Sequence, residues 1–301
     1  AFKLAPRLNA AGRMEHGEKA LELLMTRDRH RAATIAAELN QANTDRQELQ
    51  KTMVDSALER IEADPSLSER IALVLADPEW HLGVVGIVAG KLCRELNRPV
   101  IVCNLQEGYC KGSARSIETI NIYEALRECA EHLDSFGGHA RAAGIGLSTE
   151  RFEAFCEALE DTLRRRVDDE ALAPRLTLDA SVDLKDLDGR FLQELEMLEP
   201  FGESNPAPLL SVTGARLAGS PRLMGKDGRH LSFHVNDGTA CLRAVGFGMG
   251  DRYDEIREIG EAMDLAFTPR INDYRGSRSI ELHVEDVREA VTLMDALPAI
   301  D

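Results

Sequence analysis

One stretch of the sequence, from Asp28 to Ile61, contains neither proline nor glycine and consists largely of good helix formers. Asp28 begins it and can cap a helix, because its carboxylate can accept hydrogen bonds from the free N–H groups of the first turn. A helix of about 35 residues rises about 1.5 Å per residue and would span roughly 50 Å. A helix of that length cannot be buried along its whole length in one small domain. The sequence therefore predicts a long helix that connects two folded parts.

The residues around this helix predict an α/β unit. Residues 1–16 have the proline, asparagine and glycine content of a loop, and residues 17–26 suit a short helix. After Pro65 the sequence alternates short apolar strands with helices, which is typical of a layer with parallel strand pairing. The expected elements are strands at residues 71–76 and 99–104, helices at 83–96, 122–133 and 150–167, and a glycine-rich segment at 137–139 followed by a short strand.

The last part of the sequence has a different pattern. After one helix, about five short apolar segments alternate with glycine, asparagine and aspartate turns, which favours a small β-barrel of the OB type. We therefore predict an α/β fold in three parts. Residues 1–66 form a tail and the connecting helix, residues 67–170 an α/β domain, and residues 171–301 an OB-type barrel.

Composition restricts the class of protein. The chain has 301 residues, 44% of them hydrophobic and 29% charged, which is the balance of a folded protein. No apolar run reaches the roughly 20 residues of a membrane-spanning helix, and the first residues lack a signal-peptide pattern. Six scattered cysteines without a C-x-x-C pair indicate buried thiols in a reducing cytoplasm, rather than disulfides or a zinc site. The net charge of −16 is unfavourable for a nucleic-acid binder, but binding depends on local fields.

The segment at residues 112–116 places two hydroxyls around a guanidinium. In an extended strand Ser113 and Arg115 point to the same face, and the planar fork of Arg115 matches phosphate oxygens. With Ser116 beside them, these side chains could hold one phosphate. A solvated turn explains the same residues, because short motifs recur by chance.

A second segment combines two glycines with a histidine. Gly137 and Gly138 permit a tight backbone with exposed N–H groups, which is the geometry of a phosphate nest. His139 could donate to a phosphate oxygen or help to protonate a leaving group. A lone histidine is usually structural, but one framed by glycines and alanines favours function.

Two further segments contain candidate DNA contacts. Trp80 and His81 lie where a strand is expected to end and a helix to begin, the usual place for a ligand in an α/β sheet. The glycines that follow them suit close helix packing instead. Arg7 and Arg13 lie in a segment rich in alanine and glycine that could bind phosphate, although surface arginines are common.

The carboxy-terminal part of the sequence is locally basic at its turns. Its candidate DNA contacts are Arg229, His230, Arg275 and Arg278. OB barrels bind single strands through cationic grooves and stacking aromatics, although ordinary barrel surface explains any one of these residues equally well. The sequence contains no Asp-His-His and no cluster of Asp and His residues at metal-ligand spacing, so we expect no metal site in this chain.

Eight short motifs occur in order along the chain: PRLNAAGRM, LNQANTDRQELQ, WHLGVVGIVAGKL, GSARS, FGGHARAAG, PFGESNP, GRHLSF and NDYRGSRSIEL. The series resembles the RecJ exonucleases of the DHH phosphoesterase superfamily, and the similarity runs from Ala5 to Val287. The GSARS and GGH motifs alone would also admit oligoribonucleases and cyclic-dinucleotide phosphodiesterases. The barrel motifs are the ones that select RecJ.

The resemblance implies the carboxy-terminal portion of a 5′→3′ exonuclease that is specific for single-stranded DNA and acts in DNA repair and recombination. It implies a DHH-associated α/β domain, preceded by the long linker helix and followed by an OB-type barrel. A front DHH lobe, which this sequence lacks, would bind Mn²⁺ or Mg²⁺. His139 is the expected catalytic residue. The residues expected at the 5′-phosphate and the DNA backbone are Ser113, Arg115, Ser116, Gly137, Gly138, Arg7 and Arg13.

The resemblance also implies partners. We expect a monomer that binds single-stranded DNA, with a single-strand-binding protein and a helicase as candidate protein partners and no membrane contact. We expect this chain to be inactive alone. Two alternatives stay open: a non-catalytic single-stranded-DNA-binding or scaffold protein of the same superfamily, and a phosphodiesterase for short oligonucleotides, against which the barrel counts.

Overall fold

The computed structural model describes residues 3–14, 17–202, 204–259, 262–274 and 277–290. The chain divides into two compact units, Ala1–Pro174 and Arg175–Asp301. Among the described residues, no helix is both long enough and apolar enough to cross a membrane. The five buried cysteines and the exposed Cys241 are all free thiols.

The first unit begins with three helices, α1 (Ala5–Met14), α2 (Glu18–Met25) and α3 (Arg29–Ala63). The prediction of a loop over residues 1–16 is therefore wrong for α1. Pro6 lies in the first turn, where no backbone N–H is needed, and the buried Ala10 and Ala11 hold the helix against α3.

The predicted long helix is confirmed. Asp28 caps α3 by accepting a hydrogen bond from the His30 backbone N at 2.8 Å, and the helix runs for 35 residues. Its buried side chains fall into two groups. Ile35 and Leu39 pack with α1 and α2, whereas Met53 and Ala57 enter a separate hydrophobic cluster with the first strands of the sheet. The helix thus joins two hydrophobic clusters of this unit.

A five-stranded sheet forms the centre of the first unit. The elements after α3 are α4 (Pro65–Ser68), β1 (Leu73–Asp77), α5 (Val85–Leu96), β2 (Val100–Gln106), β3 (Tyr109–Arg115), α6 (Ile122–Glu128), β4 (Ser135–His139), β5 (Ala142–Ser148), α7 (Phe152–Arg164) and α8 (Asp169–Leu172). The strand order is β1-β2-β3-β5-β4. The expected parallel pairing holds for β1 with β2, while the other pairs are antiparallel. The helix expected at residues 122–133 ends at Glu128 and continues only as a single 3₁₀ turn.

Both faces of the sheet carry helices. Alternate residues of β2 enter two clusters, because successive side chains of a strand point to opposite faces. Ile101 and Cys103 pack with α6 and α7, whereas Val100 and Val102 pack with α5 and α3. On this second face α5 packs over β2 and β3. Gly137 and Gly144, in the neighbouring β4 and β5, remain exposed.

The second unit is a closed barrel. Its elements are β6 (Ala180–Ser181), α9 (Gly189–Glu196), β7 (Leu210–Leu217), β8 (Arg222–Met224), β9 (His230–Asn236), β10 (Cys241–Gly246), α10 (Tyr253–Glu258), β11 (Met263–Tyr274) and β12 (Ser277–Glu289). Pairing of β7 with both β9 and β11 closes a ring in the order β7-β9-β10-β12-β11. Phe233 and Phe267 fill its interior. The predicted five-stranded OB-type barrel is confirmed.

Candidate nucleic-acid interface

The end of β3 and the tip of the β4–β5 hairpin bring two of the sequence motifs together. Arg115 lies opposite Ala142, and Ala142 lies opposite His139. Directly opposed residues of a sheet project to the same face, and neighbouring strands are about 4.8 Å apart. Arg115 and His139 therefore stand on the same face with their Cα atoms about 10 Å apart. Only the small side chain of Ala142 lies between them.

The next set of opposed residues across β3, β5 and β4, on the same face, has almost no side chains. Ser113 lies opposite Gly144, and Gly144 lies opposite Gly137. A Cβ atom at Gly137 would have no neighbour within 4 Å, and one at Gly144 would meet only the Gly112 carbonyl oxygen, at 3.9 Å. A ligand can therefore approach the backbone of these strands closely. We call this surface the open face; its residues are Ser113, Arg115, Gly137, His139, Ala142 and Gly144.

Arg115 is held in place at the edge of the open face. Its Nη1 donates to Ser113 Oγ and to the Ala114 carbonyl oxygen, both at 2.7 Å. Helix α5 passes so close that a Cβ atom at Gly86 would lie 3.0 Å from Arg115 Nη2 and 3.1 Å from Ser113 Oγ. The glycine lets the helix touch the guanidinium, and the contact restricts the conformations that Arg115 can adopt.

Arg13 of α1 adds positive charge beside Arg115, and Arg46 of α3 lies near Arg13. Burial and the charge of Arg13 lower the pKa of Arg115 and that of Arg46. Arg46 donates to Asn43 Oδ1 at 2.8 Å and to Gln50 Oε1 at 2.7 Å. None of the three arginines forms an ion pair with a carboxylate in the part of the chain that the structure describes. Since arginine stays charged, this group favours an anion.

Arg94 and Arg141 extend the cationic group. Both lie close enough to Cys93 to oppose the rise in its thiol pKa that burial causes, as does Arg115. Arg141 Nε donates to the Ser116 carbonyl oxygen at 3.2 Å, which fixes it beside the end of β3. Sequence reasoning missed Arg46, Arg94 and Arg141 as site residues. Arg141 had a usable signal, because it stands two residues after His139 within the same motif.

Ser116 and the two glycines differ from their predicted roles. The Ser116 side chain is 5% exposed and its hydroxyl donates to the Ile120 carbonyl oxygen at 2.7 Å, so it has no free donor for a phosphate. The prediction of a tight nest at Gly137 and Gly138 is wrong, because both lie in the extended strand β4. Gly138 has φ +146°, and a Cβ atom there would collide with the Ala142 carbonyl oxygen.

The two arginines of the amino-terminal segment have different surroundings. Arg7 Nε donates to Asn40 Oδ1 at 2.6 Å, and its guanidinium also contacts the Lys3 carbonyl oxygen. Arg7 thus helps to hold α1 on α3. The backbone of Arg13 instead lies against Gly83, where a Cβ atom would collide with the Arg13 carbonyl oxygen. Helix α1 therefore places Arg13 at the start of α5.

Trp80 and His81, adjacent in sequence, have opposite environments. Trp80 is 3% exposed, the Arg60 guanidinium lies 5.1 Å from the centre of its ring, and its carbonyl oxygen accepts from Asn104 Nδ2 at 2.7 Å. Its ring has no surface to offer a base, so it acts in packing. His81 is exposed and its Nδ1 accepts from the Gly83 backbone N at 3.1 Å, which leaves Nε2 available.

The structure describes three of the four barrel residues that are predicted to contact DNA. Arg229 and Arg278 are exposed. His230 is half-buried, and its Nδ1 accepts from the Gly248 backbone N at 2.9 Å. Arg275 lies outside the described residues. Arg243, which was not among the predicted site residues, pairs with Glu281 at 2.9 Å on the outer surface of the strands.

The described residues do not fit a catalytic metal. They contain no group of three or more His, Cys, Asp or Glu side chains that could hold an ion. Two-metal hydrolysis of a phosphodiester needs several convergent ligands of that kind. What the open face offers instead is a set of guanidinium and hydroxyl donors around bare backbone, which is suited to binding a phosphate.

Comparison with known families agrees with this geometry. Residues 69–165 match the DHHA1 domain, and residues 178–286 match the RecJ OB domain. The chain therefore carries the DHHA1 and OB domains of the RecJ family. Each RecJ domain falls within one of the two compact units.

Relatives and a solved structure extend the RecJ similarity over almost the whole chain. The single-stranded-DNA-specific exonucleases RecJ of Bacillus subtilis and Thermus thermophilus are each 35% identical to it, over 95% and 97% of the chain. The chain spans only 36% and 40% of the length of these two relatives. The crystal structure of Thermus thermophilus RecJ in complex with Mg²⁺ matches 97% of this chain and 44% of that one, with a TM-score of 0.82 and 34% identity. A second crystal structure of that protein contains Mn²⁺.

Proposed function

We propose that this chain is the substrate-binding part of a 5′→3′ exonuclease specific for single-stranded DNA that acts in DNA repair and recombination. The observation that carries the proposal is the open face, on which Arg115 and His139 stand on either side of Ala142, next to the bare backbone of Gly137 and Gly144. The names of the RecJ relatives support the substrate class. In this proposal residues 1–66 form the connecting segment, residues 67–170 hold the 5′ end of the DNA, and residues 171–301 bind the rest of the DNA strand.

The open face has the donors that a terminal phosphate requires. Arg115 Nη1 already donates to Ser113 Oγ and to the Ala114 carbonyl oxygen, so Nη2 is available to donate to a phosphate oxygen. The Ser113 hydroxyl accepts from Arg115 and can donate its own proton to the ligand. His139 would contact the phosphate from across Ala142, and Gly137 and Gly144 would let the strand backbone lie on the sheet.

A phosphate held at one fixed place would explain 5′→3′ polarity, because the scissile bond would then lie at a constant distance from the 5′ end. Mg²⁺ or Mn²⁺ would polarise that bond. Since the described residues do not fit such an ion, we propose that residues outside them hold it. That Thermus thermophilus RecJ was crystallised with Mg²⁺ and with Mn²⁺ supports the use of a divalent metal. For this chain we propose binding and orientation of the strand. A single-strand-binding protein and a helicase remain proposed partners on the strength of the resemblance alone.

Substitution of Arg115 tests the proposal. Arg115→Ala should weaken binding of 5′-phosphorylated single-stranded DNA about 10- to 150-fold, the effect of losing one hydrogen bond to a charged group. Binding of the same strand with a 5′-hydroxyl should change much less. Arg127→Ala, which removes an arginine paired with Glu124 on the surface of α6, is the matched control. Equal losses on both DNA ends would refute the assignment of a 5′-phosphate site.

A further inference from the structure

Phe247 is an exposed aromatic side chain in a defined orientation. It follows the last residue of β10 and is 58% exposed. The His230 ring meets it at 5.5 Å and 70°, and the His283 ring meets it at 5.1 Å and 76°. Edge-to-face pairs of this kind are favourable beyond the area that they bury. A single exposed phenylalanine is common on protein surfaces, but contacts with two aromatic neighbours hold the Phe247 ring in one orientation.

The two histidines are themselves held. The Gly248 backbone N donates to His230 Nδ1 at 2.9 Å, and His283 Nε2 lies 3.3 Å from Glu281 Oε1. Glu281 is 7% exposed and its charge is balanced by Arg243 Nη1 at 2.9 Å. The Phe247 ring is therefore positioned before any ligand arrives, which reduces the ordering cost of binding.

The position of Phe247 matches the side of an OB barrel that binds oligonucleotides. β9 and β10 are the second and third strands of the five-stranded ring, and OB barrels bind single strands across these two. Arg243 lies opposite His234 on the outer surface of this pair. Arg229 is exposed next to His230 and forms no ion pair among the described residues. Arg243 is already paired with Glu281, so Arg229 is the cation available to a phosphate. An aromatic ring in contact with His230, the neighbour of Arg229, suits a base with its adjoining phosphate.

We propose that Phe247, held between His230 and His283, is a base-stacking platform for single-stranded DNA. The inference rests on the proposed function and adds to it a site in the other unit, separate from the 5′-phosphate. Such a platform binds any base, because every base has a π face. Stacking on an aromatic side chain changes affinity on the order of 5- to 150-fold per base.

The test compares DNA with and without bases. Affinity for a 5′-phosphorylated oligothymidylate, and for the same backbone made of abasic sites, would be measured by fluorescence anisotropy for the wild-type chain and three variants. Phe247→Leu should lose on the order of 5- to 150-fold on the thymidylate and little on the abasic strand, while Phe247→Trp should retain affinity. Leu223→Ala, which shortens a side chain 50% exposed on β8 of the same barrel, should change neither.

Two results would refute base stacking on Phe247 and leave the proposed function intact. In one, the wild type binds the thymidylate and Phe247→Leu binds it equally well. In the other, Phe247→Leu loses the same factor on the abasic strand, so that the base is not what Phe247 contacts. A wild-type chain that binds neither strand would instead refute the proposed function itself, and the platform with it.

Discussion

Replacing Gly86 with alanine should weaken phosphate binding without weakening the fold. The added Cβ would lie 3.0 Å from Arg115 Nη2 and 3.1 Å from Ser113 Oγ, so both side chains must shift by a few tenths of an ångström. One hydrogen bond to a charged group is worth about 1.5–3 kcal/mol, so losing its alignment should reduce affinity for 5′-phosphorylated DNA up to about 10- to 150-fold. Alanine is a better helix former than glycine by up to about 1 kcal/mol, so the free energy of unfolding should stay equal or rise.

Gly90→Ala is the matched control, because it lies on the same helix and its Cβ would meet Arg115 Cγ only at 3.8 Å, an ordinary contact. Dissociation constants from fluorescence anisotropy and free energies of unfolding from urea titration would be compared for the wild type and both variants. We predict weaker binding for Gly86→Ala alone, with both variants at least as stable as the wild type. The reasoning would be refuted if Gly86→Ala bound normally, or if Gly90→Ala lost as much affinity.

Two further predictions concern stability. Burial opposes ionisation of Asp237, but hydrogen bonds from the backbone N of Leu184, from Thr239 and from the backbone N of Ala240 hold its pKa at about 2, below the ordinary 3.8. Because the folded-state pKa is the lower one, this stabilisation is complete above pH 3.8 and is lost as pH falls through 2. Asp237→Ala should therefore lower Tm clearly at neutral pH and much less at pH 2. Equal decreases in Tm at the two pH values would contradict this prediction. Trp80→Ala should lower the free energy of unfolding, measured by urea titration, by about 3–5 kcal/mol, because the side chain is buried. A change near zero would contradict the packing role and make Trp80 a candidate DNA contact again.

Local sequence rules predicted the elements that depend on neighbouring residues. The long helix follows from Asp28 and a stretch without proline or glycine. The barrel follows from short apolar segments between turns. Helix α1 was missed because Pro6 and Gly12 are usually read as breakers. In the fold Pro6 occupies a turn that needs no N–H donor, and the burial of Ala10 and Ala11 stabilises the helix.

The candidate site depended on information that a single sequence does not contain. Ser113 and Arg115 share a face by the period of a strand, as predicted. That Arg115 and His139 stand on one row depends on strand order and register across residues 24 positions apart in sequence. Arg46 joined the cationic group only through the packing of α3. Trp80 could not be assigned from sequence, since a tryptophan before a helix can be packed or exposed.

We propose above all that this chain binds single-stranded DNA by its 5′-phosphorylated end. The most direct measurement adds Mn²⁺ to this chain and follows both binding of 5′-phosphorylated DNA and release of nucleotides, with single-stranded and duplex forms compared. We predict tight binding of the single strand, weaker binding of the duplex, and no nucleotide release. Equal binding of both forms, or no binding of either, would contradict the account, and release that survives repurification and disappears in His139→Ala would show a catalytic centre within this chain.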